Sequence, residues 1–275
     1  MRLVDFFLLG KIFLNRHRVN YLKEKSRISA NQVNLHWWKV PGSMQNIGDF
    51  LSPVVVEYMH RATSRTAHSS NGTIHLLAIG SVIDQSYQNS VVWGSGLMCG
   101  NRKLWWRNLR KLDIRAVRGP ETRRSLIENG YSCPEIYGDP AILMPLVYRP
   151  ESLEKKYDYR VIQHHSFAQN VENCLSPIVK DWQQFIDELV KCRLVISSSL
   201  HGIILAEAYG IPAIMLKTAL NTFKFDDYYH STGRYDYPMA DSVEQALQME
   251  PPTLPDLEPL RQNIMAAFPA DLWKS

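Results

Sequence analysis

Residues 194–216, LVISSSLHGIILAEAYGIPAIML, put a histidine where it can do acid–base chemistry. The stretch reads as strand, turn, helix, turn, strand. An apolar run over 194–197 stops in hydroxyls, and Ser197, Ser198 and Ser199 are expected to cap a helix by accepting from its free N–H groups. Gly210 and Pro212 end that helix, because glycine suits the residue past a helix end and proline cannot continue one. His201 falls in the first turn, beside unpaired N–H groups and the positive end of the helix dipole. Such a place attracts anions, and a histidine there can bind or exchange protons with an anionic substrate near neutral pH. For one turn taken alone, a histidine that merely packs or caps is the plainer reading.

Other residues have chemistry to offer. Asn46, Gly48 and Asp49 open a second helix. Gly48 permits close backbone approach, and Asp49 either caps the helix or binds a hydroxyl. Arg118 ends a strand, where a guanidinium can clamp a phosphate or carboxylate or simply form a surface ion pair. His164 and His165 end another strand. Adjacent strand residues point to opposite faces, so the two do not make a metal pair. Lys224 lies in an aromatic and basic segment, 218–234, read as a loop able to close a cleft over an anion. Trp105, Trp106, Arg107, Arg110 and Lys111 form a basic aromatic cluster, read as a helix with one buried face in preference to a sugar-stacking surface.

The elements that must position these groups follow from short apolar runs. Strands are expected at 34–40, 73–80, 90–96, 113–119 and 159–165, several ending in Gly or Ser. Parallel strands with backbone exposed at their carboxyl ends fit that pattern, and ligands bind there in open α/β sheets. No G-x-G-x-x-G accompanies them, so no dinucleotide site is assigned. Residues 145–157 are proline-rich and charged, and read as a linker between residues 1–148 and 149–275. Helices are expected at 181–191, 242–249 and 257–267, the last folding back on the first half. Cys99, Cys133, Cys174 and Cys192 are scattered without a Cys-x-x-Cys pair, which predicts reduced thiols in the cytoplasm and no structural zinc. A net charge of +4 gives no argument for nucleic acid. Residues 1–14 are apolar but broken by Asp5 and Lys11, which fits neither a signal peptide nor a spanning helix. With the basic residues that follow, they suit either a membrane-surface helix or a helix packed on the domain.

Ser-Ser-Ser-Leu-His-Gly, followed by a small-residue helix and Gly-Ile-Pro, resembles the signature of the polysaccharide pyruvyl transferase family. Asn46-x-Gly48-Asp49, the strand ending Val117-Arg118-Gly119, Asp139-Pro140 and Gln163-His164-His165 resemble further family segments in the same order. Ser199 stands where the family usually has arginine. The resemblance implies two Rossmann-like α/β domains facing a cleft, as in B-type glycosyltransferases. It also implies transfer of a pyruvyl group from phosphoenolpyruvate to a saccharide of a capsule or exopolysaccharide, or its lipid-linked precursor, as a ketal. On that reading His201 is the general acid, and Arg118 holds a donor anion. Ser199 and Leu200 line the same turn, while His164, Lys224, Asp49, Asn46 and Gly48 contact donor or acceptor. No metal or cofactor is required, and the enzyme is expected in the cytoplasm or at the inner face of the membrane. A nucleotide-sugar glycosyltransferase and a non-catalytic polysaccharide assembly protein are the alternatives. Lys224, Arg123 or Arg234 could replace the missing arginine.

Overall fold

The computed structural model describes residues 33–39, 44–63, 74–100, 104, 110–164, 172–218 and 222–273. The apolar 1–14 stretch, Trp105, Trp106, Arg107 and His165 lie outside these residues.

Two four-stranded parallel sheets carry the architecture. The first contains β1 (Val33–His36), β3 (Ile74–Leu77), β4 (Ser90–Trp93) and β5 (Leu112–Ala116), in the order β1-β3-β4-β5. The second contains β6 (Tyr157–Ile162), β8 (Cys192–Ser197), β9 (Ala213–Leu216) and β10 (Met239–Ala240), in the order β10-β9-β8-β6. Their central strands are near-continuous apolar runs because helices cover both faces. A small antiparallel ribbon pairs β2 (Gln45–Asn46) with β7 (Ile178–Val179) and joins the two halves.

Helix α1 (Ile47–Thr63) starts directly after β2. Asn46 Oδ1 accepts from Gly48 N at 3.2 Å, so Asn46 caps α1. The expectation that Asp49 might cap is corrected: it lies inside the first turn. Helix α2 (Pro120–Glu128) begins on Pro120, whose missing N–H costs nothing at that position. A 3-10 turn (Pro140–Leu143) runs into α3 (Met144–Val147), so the expected linker begins in helix. Helix α4 (Trp182–Leu189) is capped by Asp181, which accepts from Gln183 N and Gln184 N. Helix α5 (Leu200–Ala208) is apolar all round and buried, as such helices are. It ends where Gly210 takes φ +75°.

The serine prediction is corrected here. Ser199 is the N-cap residue of α5 but its side chain makes no capping bond. Ser197 Oγ instead bonds Ile162 O and accepts from Ser199 N, and Ser198 Oγ accepts from His164 N. The hydroxyls tie the end of β8 to the end of β6, because neighbouring buried backbone groups need partners.

Residues 218–234, read as a loop, contain helix α6 (Phe223–Ser231). Helices α7 (Val243–Gln248) and α8 (Glu258–Ala266) follow. α8 reaches the first half: Trp93 Nε1 donates to Ile264 O at 2.8 Å, and Arg261 Nε donates to Ile142 O. One buried apolar cluster runs through both halves, from Leu76 and Trp93 through Leu51 and Leu143 to Ile203 and Val195.

Candidate functional site

In a parallel sheet the carboxyl ends of all strands open on one side, so the loops that follow them meet there. At those ends the first sheet supplies Gly80 and Ser81, Gly94 to Gly96, Arg118 and Asp139. The second supplies His164 and the start of α5. The start of α1 enters between them.

His201 stands in the first turn of α5. Its Nε2 lies 3.4 Å from Asp139 Oδ2, with Asp139 fully buried and His201 nearly so. The pair does not form a hydrogen bond at this geometry, and both atoms are buried without a hydrogen-bond partner among the described residues. The other oxygen of Asp139 accepts from Ala141 N at 3.0 Å, which fixes the carboxylate. The carboxylate is thus held as the nearest anion to the imidazole, where it favours the protonated ring. The Nδ1 edge lies against the α1 backbone: a Cβ on Gly48 would stand 1.9 Å from Nδ1. Only glycine lets α1 and α5 approach so closely.

Asp49 follows one residue later, with Oδ1 turned toward Gly80. Burial raises its carboxyl to about 6, with Asp139 adding to the rise and His201, His36 and Lys224 opposing it. Lys224, in the first turn of α6, is pushed the other way. Burial and the neighbouring Arg118 lower it to about 8, against the pull of Asp49. Some surface of each side chain stays accessible. Two groups moved toward neutrality from opposite directions are a pattern of acid–base sites.

Arg118 departs from the anticipated clamp. Its guanidinium is fully buried, with Nε donating to Asp227 Oδ2 at 3.0 Å, and its other nitrogens donating to Ser81 Oγ and Leu97 O. Gly96 packs against it. The arginine acts on the site through its charge and its partners. Leu200 turns its side chain into the core, leaving only backbone to the site. Ser199 is buried, and its carbonyl accepts from Gly202 N and Ile203 N. His164 is half-buried at the end of β6, beside Ser198.

Asp139 has no evident role as part of an Asp-Pro pair and gains one beside His201. Of the other cations considered, Arg234 forks onto Glu207 with both contacts at 2.7 Å, and Arg123 donates to Cys133 O. Lys224 is the one of the three whose charge is felt at Asp49. Among the described residues no group of three or more His, Cys, Asp or Glu is arranged to hold a metal. No helix of the described residues is long and apolar enough to cross a membrane.

An uncharacterised protein, L143, of Acanthamoeba polyphaga mimivirus is 27% identical over 203 residues, covering 66% of this chain and 69% of that protein. A crystal structure of a functionally uncharacterised Klebsiella pneumoniae protein aligns with 82% of this chain and 99% of its own, at a TM-score of 0.49 and 16% identity, too slight a likeness to carry an argument. The polysaccharide pyruvyl transferase family model matches residues 46–218. That match begins at the residue capping α1 and runs past the His201 turn, well over half of the sequence, and the chain therefore belongs to the polysaccharide pyruvyl transferase family.

Proposed function

We propose that the protein moves the pyruvyl group of phosphoenolpyruvate onto two hydroxyls of a saccharide, forming a ketal and releasing inorganic phosphate. The observation that carries this reading is the grouping of His201, Asp139, Asp49 and Lys224 at the start of α5.

The donor has two anionic ends and an electron-rich methylene. The first N–H groups of α5 and the Lys224 ammonium suit the anions. His201, protonated and steadied by the charge of Asp139, delivers a proton to the methylene carbon. The adjacent carbon becomes an oxocarbenium centre, and one acceptor hydroxyl adds to it. Asp49, ionised above about 6, takes that hydroxyl's proton. The C–O bond to phosphate then breaks, the leaving oxygen takes the electron pair and the proton that Asp49 holds, phosphate departs as the monohydrogen ion, and the second hydroxyl closes the ketal. Its proton returns to the imidazole, which restores the acid.

The finer architecture belongs to the same proposal: each parallel sheet is the centre of a Rossmann-like domain, and the cleft between them is the active site. The acceptor is a surface-polysaccharide unit, free or lipid-linked, met in the cytoplasm or at the inner face of the membrane. A nucleotide-sugar donor is the second reading. Ser199 favours it, since a hydroxyl gives a phosphate or carboxylate only a neutral bond, and Arg118 is already committed to Asp227.

One assay separates the two. The protein is incubated in deuterated water with phosphoenolpyruvate or a nucleotide sugar and a panel of oligosaccharides. Phosphate release matched by a ketal methyl group carrying solvent deuterium supports pyruvyl transfer. Turnover of the nucleotide sugar alone overturns it.

A further inference from the structure

We propose that Asp227 is a positioning residue of this site: it seats helix α6 on the first half of the chain and so brings Lys224 to Asp49. The inference rests on the site proposed above but not on the identity of the donor.

Helix α6 follows β9 of the second sheet, yet one side of it is built into the first half. The Asp227 carboxylate accepts from Thr122 N at 2.8 Å, Thr122 Oγ1 at 2.7 Å and Arg118 Nε at 3.0 Å. It thereby fills the N-terminus of α2, a place that favours a negative charge. His230 Nδ1 meets Glu121 Oε1 at 2.9 Å on the same helix start. The backbone is equally close: a Cβ on Gly119 would stand 1.8 Å from Asp227 O, and one on Gly100 would stand 2.2 Å from the Phe223 ring. Phe223, Asp227 and His230 recur at the spacing of one helix face. The opposite side is anchored to the second half, where Tyr228 Oη donates to Glu207 Oε2 at 2.7 Å.

Lys224 is three residues before Asp227, so it projects on the docked side. Its ammonium lies 5.2 Å from the centre of the Phe225 ring, and the charges of Arg118 and Asp49 both act on it. A fully buried ion pair such as Arg118–Asp227 is weak evidence for stability, since desolving both charges offsets their attraction. What this pair does determine is where α6 sits, and hence where the lysine charge is delivered.

The test measures Lys224 itself. The pH dependence of acetylation of Lys224 in the full chain, followed by peptide mass spectrometry, gives its titration midpoint without substrate. Two variants disturb the seat. Asp227→Asn removes the charge that pairs with Arg118. Gly119→Ala removes no charged group, and φ −166° suits alanine, so it acts by pushing on the Asp227 backbone and on the carboxylate that seats α6. The wild-type midpoint is expected near 8. In Gly119→Ala, with circular dichroism unchanged, it rises by about one pH unit or more as the lysine returns to water. Asp227→Asn moves it the same way if it folds, and Gly119→Ala decides if it does not. A midpoint that stays put while Gly119→Ala lowers only the melting temperature overturns the proposal. A shift in a protein that ignores phosphoenolpyruvate leaves the inference standing and removes the donor reading instead.

Discussion

Replacing Asp49 with asparagine should make the protein more stable at neutral pH while it stops turnover. The folded-state value of about 6 lies above the 3.8 of an unperturbed aspartate. The folded chain therefore holds this proton more tightly than the unfolded chain does. Stability from that preference is fully present below 3.8 and is lost as pH rises through about 6. Each pKa unit corresponds to about 1.4 kcal/mol, so ionised Asp49 opposes folding at pH 7.5 by at most ~3 kcal/mol. The attraction to His201 and Lys224 is already contained in that net shift, and partial solvent access screens the remainder, so the expected gain is ~1–2 kcal/mol. That corresponds to roughly 2–6 °C in melting temperature for a chain of this size. Thermal melts of wild type and Asp49→Asn at pH 7.5 and pH 4 provide the check. The variant should melt higher at pH 7.5, with the gap closing near pH 4, where wild-type Asp49 carries its proton. A variant that melts lower at pH 7.5, or a gap equal at both pH values, would refute the reasoning.

Three further outcomes follow from the same geometry. The rate should be bell-shaped in pH, rising through about 6 as Asp49 ionises and falling through about 8 as Lys224 loses its proton, and Lys224→Arg should extend the alkaline limb. Asp139→Asn should leave the fold intact but cut kcat by about a hundredfold or more, because the imidazole loses the negative charge that favours its protonated form; a kinetic comparison beside circular dichroism shows whether it does. Glu207→Ala strands the Arg234 guanidinium and the Tyr228 hydroxyl in the interior, and should cost about 3–5 kcal/mol in denaturant unfolding.

The strand-to-helix turns that build the site were legible because each leaves a local trace. An apolar run ending in glycine or serine marks the carboxyl end of a buried parallel strand, and Gly80, Gly94 and His201 all fall at such ends. Asp139 left no comparable trace. Asp-Pro starts a 3-10 turn whatever its partner, and the carboxylate acquires a role only when α5 brings His201 beside it. Asp227 was hidden for the same reason, since its arginine partner is 109 residues away in sequence. Arg118 reads from sequence as an anion clamp or a surface ion pair, because a single strand end cannot reveal a buried carboxylate delivered by a distant helix. The serines of the α5 turn were misjudged because capping is a local rule, whereas Ser197 and Ser198 answer to carbonyl and amide groups of β6. Helix α6 did carry a signal: Phe225, Tyr228 and Tyr229 follow the i, i+3, i+4 spacing of a buried face. The dense charges around them masked it.

Calorimetric titration of phosphoenolpyruvate, beside a panel of nucleotide sugars, into wild type, His201→Ala and Lys224→Met tests the central claim most directly, since it needs no knowledge of the acceptor. The account predicts that wild type binds phosphoenolpyruvate and that both substitutions weaken it, Lys224→Met by about tenfold or more for the loss of a charge-assisted contact. Binding of nucleotide sugars alone, or phosphoenolpyruvate affinity indifferent to both substitutions, would contradict it.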